Sequence, residues 1–244
     1  MDAIILAAGY ATRLYPLTRN TPKPLLNVAG KPIIEHIIKK LEQIDAIDKI
    51  CIVTNNKFDN HFKEWLKNFD TSKQIEIIND GSTSNEDRLG ALGDVHYVIG
   101  TKNIDSDFIV IAGDNLFDLH LGDVANFFKK KQANLIVLHD VKDFELAKHY
   151  GIVEIDSNNV VINFEEKPAS PKSTLASAGI YLFPKRTISL IRKYIDQGNN
   201  PDKTGSFIEW LHKRDLVHSY VTEKKWYDIG SFEQLEIANK HYKG

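Results

Sequence analysis

The residues best placed to do chemistry lie near the start of the chain. There Ile4-Ile5-Leu6 runs into Ala7-Ala8-Gly9-Tyr10-Ala11-Thr12-Arg13-Leu14, followed by Thr21-Pro22-Lys23-Pro24-Leu25-Leu26. Small residues at positions 7–9 let backbone N–H groups approach a phosphate, and fixed cations at Arg13 and Lys23 can neutralise its charge. The arrangement suits a triphosphate. It is not a P-loop, since no Gly-Lys-Ser/Thr follows Gly9, and it is not G-x-G-x-x-G, since Ala11 and Leu14 hold the later glycine positions. Two carboxylates complement it: Asp114 in Gly113-Asp114-Asn115, closing an apolar run, and Asp228 in Trp226-Tyr227-Asp228-Ile229-Gly230. Mg²⁺ commonly binds through one or two such hard oxygens plus substrate phosphates. A lone Asp after a strand is usually a turn former or helix cap, so the metal reading rests on the pair.

The elements that position these groups alternate. Ala3–Ala7 is a near-continuous apolar run, as in a strand buried on both faces. Ile33, Ile34, Ile37, Ile38, Leu41 and Ile44 recur at helical spacing. Ile50–Val53 and Ile75–Ile78 read as further strands, and Phe58, Phe62, Trp65, Leu66 and Phe69 as a helix face packed in the core. Leu89–Ile99 reads as a helix and Phe108–Ala112 as a buried strand ending at Asp114. Such alternation predicts βαβ crossovers and an α/β fold: a Rossmann-like, mostly parallel mixed sheet flanked by helices. After residue 130 come short strand-like runs at Leu135–Leu138, Gly151–Ile155, Val160–Phe164 and Ala178–Phe183. A helix carrying Ile188, Leu190, Ile191, Tyr194 and Ile195 follows, then a polar, turn-rich segment at Gly198–Gly205 and a closing helix over Ser231–Tyr242. No Pro/Gly/Ser-rich linker divides the chain. The expectation is one domain over 1–244, with a nucleotide-binding half at about 1–130 and a substrate-binding half at about 131–244.

Composition narrows the class. At 244 residues with a formal net charge of −2, the chain has no pervasive basic excess for nucleic-acid binding. Its single cysteine, Cys51, excludes an intramolecular disulfide and fits a reducing compartment; inside an apolar strand it reads as packing. No apolar run is long enough to span a membrane and no cleavable leader is visible, so the expected location is cytoplasmic. The nine histidines show no H-E-x-x-H spacing, and no G-x-S-x-G elbow is present. His36, on a helix flank, is expected at the surface or its boundary.

The first segment resembles the signature of the sugar-1-phosphate nucleotidylyltransferases, G-x-G-T-R-L-x-P-x-T-x-x-x-P-K-P-L, with Ala11 replacing the second Gly. Gly113-Asp114-Asn115 is similar to the family's metal-binding G-D-N, and Tyr150-Gly151-Ile152-Val153 to its sugar-contacting Y-G-V-V. Glu165-Glu166-Lys167-Pro168 resembles E-E-K-P, Ala178-Gly179-Ile180-Tyr181 the T/A-G-I-Y strand, and Trp226–Gly230 the W-x-D-x-G with a second metal ligand. An ordered series of this length is far more specific than any single motif. The resemblance implies a nucleotidyltransferase, GT-A-like fold and an enzyme that joins an NTP to a sugar 1-phosphate. Glucose-1-phosphate thymidylyltransferases and uridylyltransferases are the nearest group, with dTTP or UTP and glucose 1-phosphate as the expected substrates.

On that reading Arg13 stabilises the leaving phosphates, and Lys23 bridges the α-phosphate and the incoming phosphate. Leu6, Ala8, Gly9, Asn79 and Gly90 line the nucleotide site, while Tyr150, Gly151, Glu166, Lys167 and Gly179 line the sugar-phosphate site. Asp114 and Asp228 hold Mg²⁺. A bend introduced by Pro168 is expected to let Glu166 and Lys167 face one ligand. His139-Asp140 is either a pair near the sugar or a solvated turn. No nucleic-acid or membrane partner is expected, and the assembly is a monomer or small homo-oligomer. Two departures bear on specificity. Asn79 stands where relatives place a Gln against the pyrimidine, ahead of a polar loop at Ser82–Arg88, and the chain stops soon after the Asp228 helix without the regulatory tail of long forms. Alternatives are a cytidylyltransferase acting on phosphocholine or another alcohol phosphate, and a catalytically silent nucleotide-sugar-binding regulatory protein.

Overall fold

Alternation along the buried strands decides the architecture, described here for residues 1–243 from a computed structural model. Strand β1 (Asp2–Leu6) turns Ala3 and Ile5 to one face of the sheet and Ile4 to the other, and all three are fully buried. A sheet buried on both faces must carry helices on both. In chain order follow β2 (Asn27–Val28), β3 (Lys31–Pro32), α1 (Ile33–Leu41), β4 (Lys49–Thr54), α2 (Asp59–Leu66), β5 (Gln74–Asn79), α3 (Ala91–Lys102) and β6 (Phe108–Ala112). Then come β7 (Asn115–Phe117), α4 (Leu121–Lys131), β8 (Asn134–Asp140), α5 (Phe144–Ala147), β9 (Gly151–Ile155), β10 (Val161–Glu166) and β11 (Leu175–Phe183). The chain closes with α6 (Thr187–Asp196), α7 (Thr204–Leu211), β12 (Val217–Thr222), β13 (Trp226–Asp228) and α8 (Phe232–His241).

The main sheet has nine strands along the path β10-β9-β11-β6-β1-β4-β5, with β8 pairing β11 and carrying β12. Its centre is parallel: β1 lies between β6 and β4, and β5 pairs β4, all in one direction. The later strands join through antiparallel pairings of β11 with β6 and of β10 with β9. The carboxyl ends of β1 and β6 therefore emerge side by side, where ligands collect in open α/β sheets. A small β7–β13 ribbon sets Asp228 opposite Asn115 and so beside Asp114.

Helix α1 starts after Pro32 with no side-chain cap, a loss of about 1 kcal/mol. Burial of Ile33, Ile34, Ile37, Ile38 and Leu41 at ~1.5–3 kcal/mol each outweighs it. His36 departs from its expected surface position. It is buried, bonded through Nε2 to Val28 O at 2.8 Å, and set edge-on against Tyr242, because α8 returns to cover that flank. In the α2 segment Phe58 and Phe62 enter the core, whereas Trp65 and Phe69 stack at its half-buried edge. Cys51 is sealed in β4, where burial pushes its thiol up to about 11.

One other segment differs from expectation, and one open alternative is decided. Thr204-Gly205 opens helix α7 instead of ending a turn, and Gly205 is required because a Cβ there would lie 2.6 Å from Phe164 Cζ. His139 and Asp140 end strand β8 and are not a free turn: His139 packs on Trp226, and Thr174 Oγ1 donates to Asp140. No helix among the described residues is long and apolar enough to cross a membrane.

Candidate active site

Two cavities open above the carboxyl ends of the central strands. The first, of about 330 Å³, is walled by Leu6, Ala8 and Gly9 after β1, by Gly90 and Ala91 at the start of α3, and by Asp114 after β6. Arg13 and Lys23 reach into it from the loop after β1. Ala11 at the loop's bend has φ +46°, in the left-handed region that costs a non-glycine residue ~1 kcal/mol or more. Thr18 Oγ1 donates to Ala11 O at 2.7 Å and holds the bend. Asn79 does not line this cavity. Its Nδ2 donates to Asn56 Oδ1 and its Oδ1 accepts from Gly81 N, so the side chain is spent on the neighbouring loops.

Lys23 is 8% exposed, and its Nζ lies 2.6 Å from Asp114 Oδ2. Asp228 sits close by. Burial and the Asp114 charge push its carboxyl up to about 6, against the pull of Lys23, Arg13 and Lys167. Two carboxylates held together in a partly dry site repel each other. Such a donor set suits a divalent cation, with hard oxygens and residual negative charge, leaving the remaining coordination for phosphates and water. No group of three or more His, Cys, Asp or Glu residues forms a full protein cage among the described residues.

The second cavity, of about 660 Å³, brings together Tyr150, Gly151, Glu166, Lys167 and Gly179, with Asp228 at its boundary. Arg13 lines both cavities and connects them. The bend after Glu166 lies in Lys167 itself, at φ +51°, and not at Pro168. Lys167 N donates to Tyr150 O at 2.9 Å, which pins the turned residue beside the cavity. Glu166 pairs with Lys203 at 3.1 Å and faces Gly151, where a Cβ would come within 3.1 Å of its Oε2. Gly179 has φ +69°, and a Cβ there would stand 2.6 Å from Asn115 Nδ2, which donates to Ala178 O. Gly179→Ala is therefore expected to destabilise by about 1–3 kcal/mol, from overpacking and left-handed strain. A melting temperature equal to that of the parent protein would show that the β7–β11 contact yields freely.

Several lining residues escaped the sequence reading. Gln234 reaches the second cavity from α8, its Oε1 accepting from Gly230 N and its backbone N–H capped by Ser231 Oγ. Arg88 and Asp202, far apart in the chain, pair at 2.9 Å across the edge of the first cavity. Asp94, in the first turn of α3, also lines that cavity while only 5% exposed. Burial, and then the facing Asp80, push its carboxyl up to about 8. A helix N-terminus favours an anion by only ~0.3–1 kcal/mol, less than the several kcal/mol of desolvation. Asp94 titrates above its ordinary 3.8, so its contribution to stability is full below that value and is lost as pH rises through about 8. Asp94→Asn should accordingly gain melting temperature relative to the parent between pH 6 and pH 9. A pH-independent difference would show that Asp94 is ionised throughout.

The nucleotidyl transferase family model matches residues 2–244. The chain is 35% identical over 242 residues to the bifunctional protein GlmU of Methanocaldococcus jannaschii, covering 99% of this chain and 54% of that one. It is 31% identical over 244 residues to a UTP–glucose-1-phosphate uridylyltransferase of Synechocystis, covering 94% of this chain and 60% of that one. The chain thus spans about half the length of the curated relatives it matches. Among solved structures, a candidate glucose-1-phosphate thymidylyltransferase from Bacillus anthracis, in complex with a sucrose, superposes with TM-score 0.83. Its identity is 27%, over 100% of this chain and 95% of that one.

Proposed function

The chain belongs to the nucleotidyl transferase family, and on that premise we propose that it transfers a nucleoside monophosphate from an NTP to a sugar 1-phosphate, releasing pyrophosphate. UTP or dTTP and glucose 1-phosphate are the proposed substrates. The observation that carries this reading is the junction of the two cavities, where Arg13, Asp114 and Asp228 converge. The first half of the chain supplies most of a nucleotide site, and the second half a site with a cation, Lys167, for the acceptor phosphate and a carboxylate, Glu166, for ring hydroxyls.

A sugar phosphate is already anionic at neutral pH, so its oxygen can attack the α-phosphorus in line without a protein nucleophile. Catalysis is then positioning plus charge neutralisation. Lys167 holds the acceptor phosphate on one side of the junction. Arg13 stabilises the departing pyrophosphate, and Lys23, set deep beside Asp114, neutralises charge on the reacting phosphorus. Asp114 and Asp228 would hold Mg²⁺, which supplies Lewis-acid neutralisation of the phosphate oxygens. Cys51 is excluded as a nucleophile by its burial in β4.

The test is a pyrophosphate-release screen of five NTPs against glucose 1-phosphate, glucosamine and mannose phosphates, and phosphocholine, with Mg²⁺ present. Hexose 1-phosphates are expected to exceed phosphocholine in kcat/KM, with glucose 1-phosphate first. Phosphocholine as the best acceptor would replace the sugar reading with an alcohol-phosphate cytidylyltransferase. No turnover with any pair would favour a binding protein.

A further inference from the structure

We infer that Asp94, oriented by Asp80, reads the nucleobase and selects bases whose ring nitrogen carries a proton, as in uracil and thymine, over bases whose ring nitrogen is an acceptor, as in cytosine. This rests on the reading of the first cavity as the nucleotide site. Apart from its charged residues Arg13, Lys23, Arg88, Asp114 and Asp202, the cavity is walled by small or aliphatic groups such as Leu6, Ala8, Gly90 and Ala91, which suit the flat face of a base. Asp94 interrupts that wall as a buried acid that no ion pair explains. The group that faces its carboxyl is Asp80, whereas Lys23 is paired with Asp114.

The position of one proton gives the site its selectivity. Asp94 Oδ1 and Asp80 Oδ2 are both sealed from solvent and have no other hydrogen-bond partner. Asp80 Oδ1 accepts from both Ser82 N–H and Ser82 Oγ–H, each at 2.7 Å. Burial and the facing Asp80 push the Asp94 carboxyl up to about 8, so Asp94 keeps its proton at neutral pH, and the proton points at Asp80 Oδ2, a sealed acceptor with no other donor. The outer oxygen of Asp94 is then carbonyl-like, an acceptor with no hydrogen to offer. An imide N–H facing it completes a hydrogen bond. The acceptor ring nitrogen of cytosine would set lone pair against lone pair and lose that bond. Asn79, spent on Asn56 and Gly81, offers no competing readout.

The test is equilibrium binding of UTP, dTTP and CTP to the whole protein with Mg²⁺ and no acceptor, by calorimetry. UTP and CTP are nearly equal in size and differ only at N3 and the adjoining C4 group, so their ratio reads the ring edge that faces Asp94. The parent protein should prefer UTP by at least ~10-fold. Asp94→Asn should keep that ratio, because its amide N–H can serve Asp80 while its carbonyl faces the cavity. Asp94→Ala should bring the ratio to within ~3-fold, with thermal melts confirming that the variant is folded. Equal binding of CTP and UTP by the parent protein would overturn the inference without recourse to any variant, as would an unchanged ratio in folded Asp94→Ala. Discriminating binding without nucleotidyl transfer would remove the proposed reaction and leave the base assignment standing.

Discussion

Asp228→Asn is expected to lower kcat by at least ~100-fold, measured as pyrophosphate release at saturating NTP, sugar phosphate and Mg²⁺. The substitution keeps side-chain volume and removes one of the two carboxylates at the junction. Asp228 is buried beside another acid, so losing its charge relieves repulsion and the melting temperature should not fall. Asp114→Asn should lower kcat comparably but also cost stability, because it leaves Lys23 buried without its 2.6 Å partner. Breaking a fully buried pair costs ~3–5 kcal/mol. The Asp114 side chain is 36% exposed, so water offsets part of this and ~1–3 kcal/mol is expected. At this chain length that is a drop of several degrees. Parental kcat for Asp228→Asn would end its assignment to the metal site, and equal melting curves for both variants would mean that the Lys23–Asp114 pair contributes nothing to the fold.

Much of this arrangement was legible in the sequence because it depends on local signals. Apolar runs such as Ala3–Ala7 and Phe108–Ala112 mark strands buried on both faces, and these two run directly into segments that wall the first cavity. The groups Arg13, Lys23, Asp114, Asp228 and Lys167 all stand in recognisable short motifs. The signals that failed were non-local. His36 sits on the flank of α1 by its periodicity, and only the return of α8 with Tyr242 buries it. Thr204-Gly205 reads as a loop until Phe164 is seen to need the space beside it. Asp94 reads as an ordinary acid in the first turn of a helix. Nothing in its neighbours along the chain shows that α3 lays it against Asp80, at the end of a different strand. Asn79 shows the converse: a motif position predicted a ligand contact, but Asn56 after β4 and Gly81 in the following loop take up the side chain.

Lys23→Ala and Lys167→Ala should separate the two halves of the reaction. Both remove one cation from the same junction, yet they occupy different cavities: Lys23 the first, against Asp114, and Lys167 the second, turned in by its left-handed backbone. A charge that acts mainly as the phosphorus reorganises contributes to the transition state, so Lys23→Ala should reduce kcat by roughly 100- to 1,000-fold with small changes in either KM. A charge that holds the acceptor before and during reaction contributes to both states alike. Lys167→Ala should therefore raise the KM for the sugar phosphate by ~10-fold or more, as expected for one charge-assisted hydrogen bond, with a smaller effect on kcat. Steady-state kinetics with each substrate varied in turn distinguishes these patterns. A rise confined to the KM for NTP in Lys167→Ala would exchange the contents of the two cavities. Parental kcat in Lys23→Ala would leave the lysine with only its structural contact to Asp114, and the neutralisation of the reacting phosphorus would fall to Arg13 and the metal.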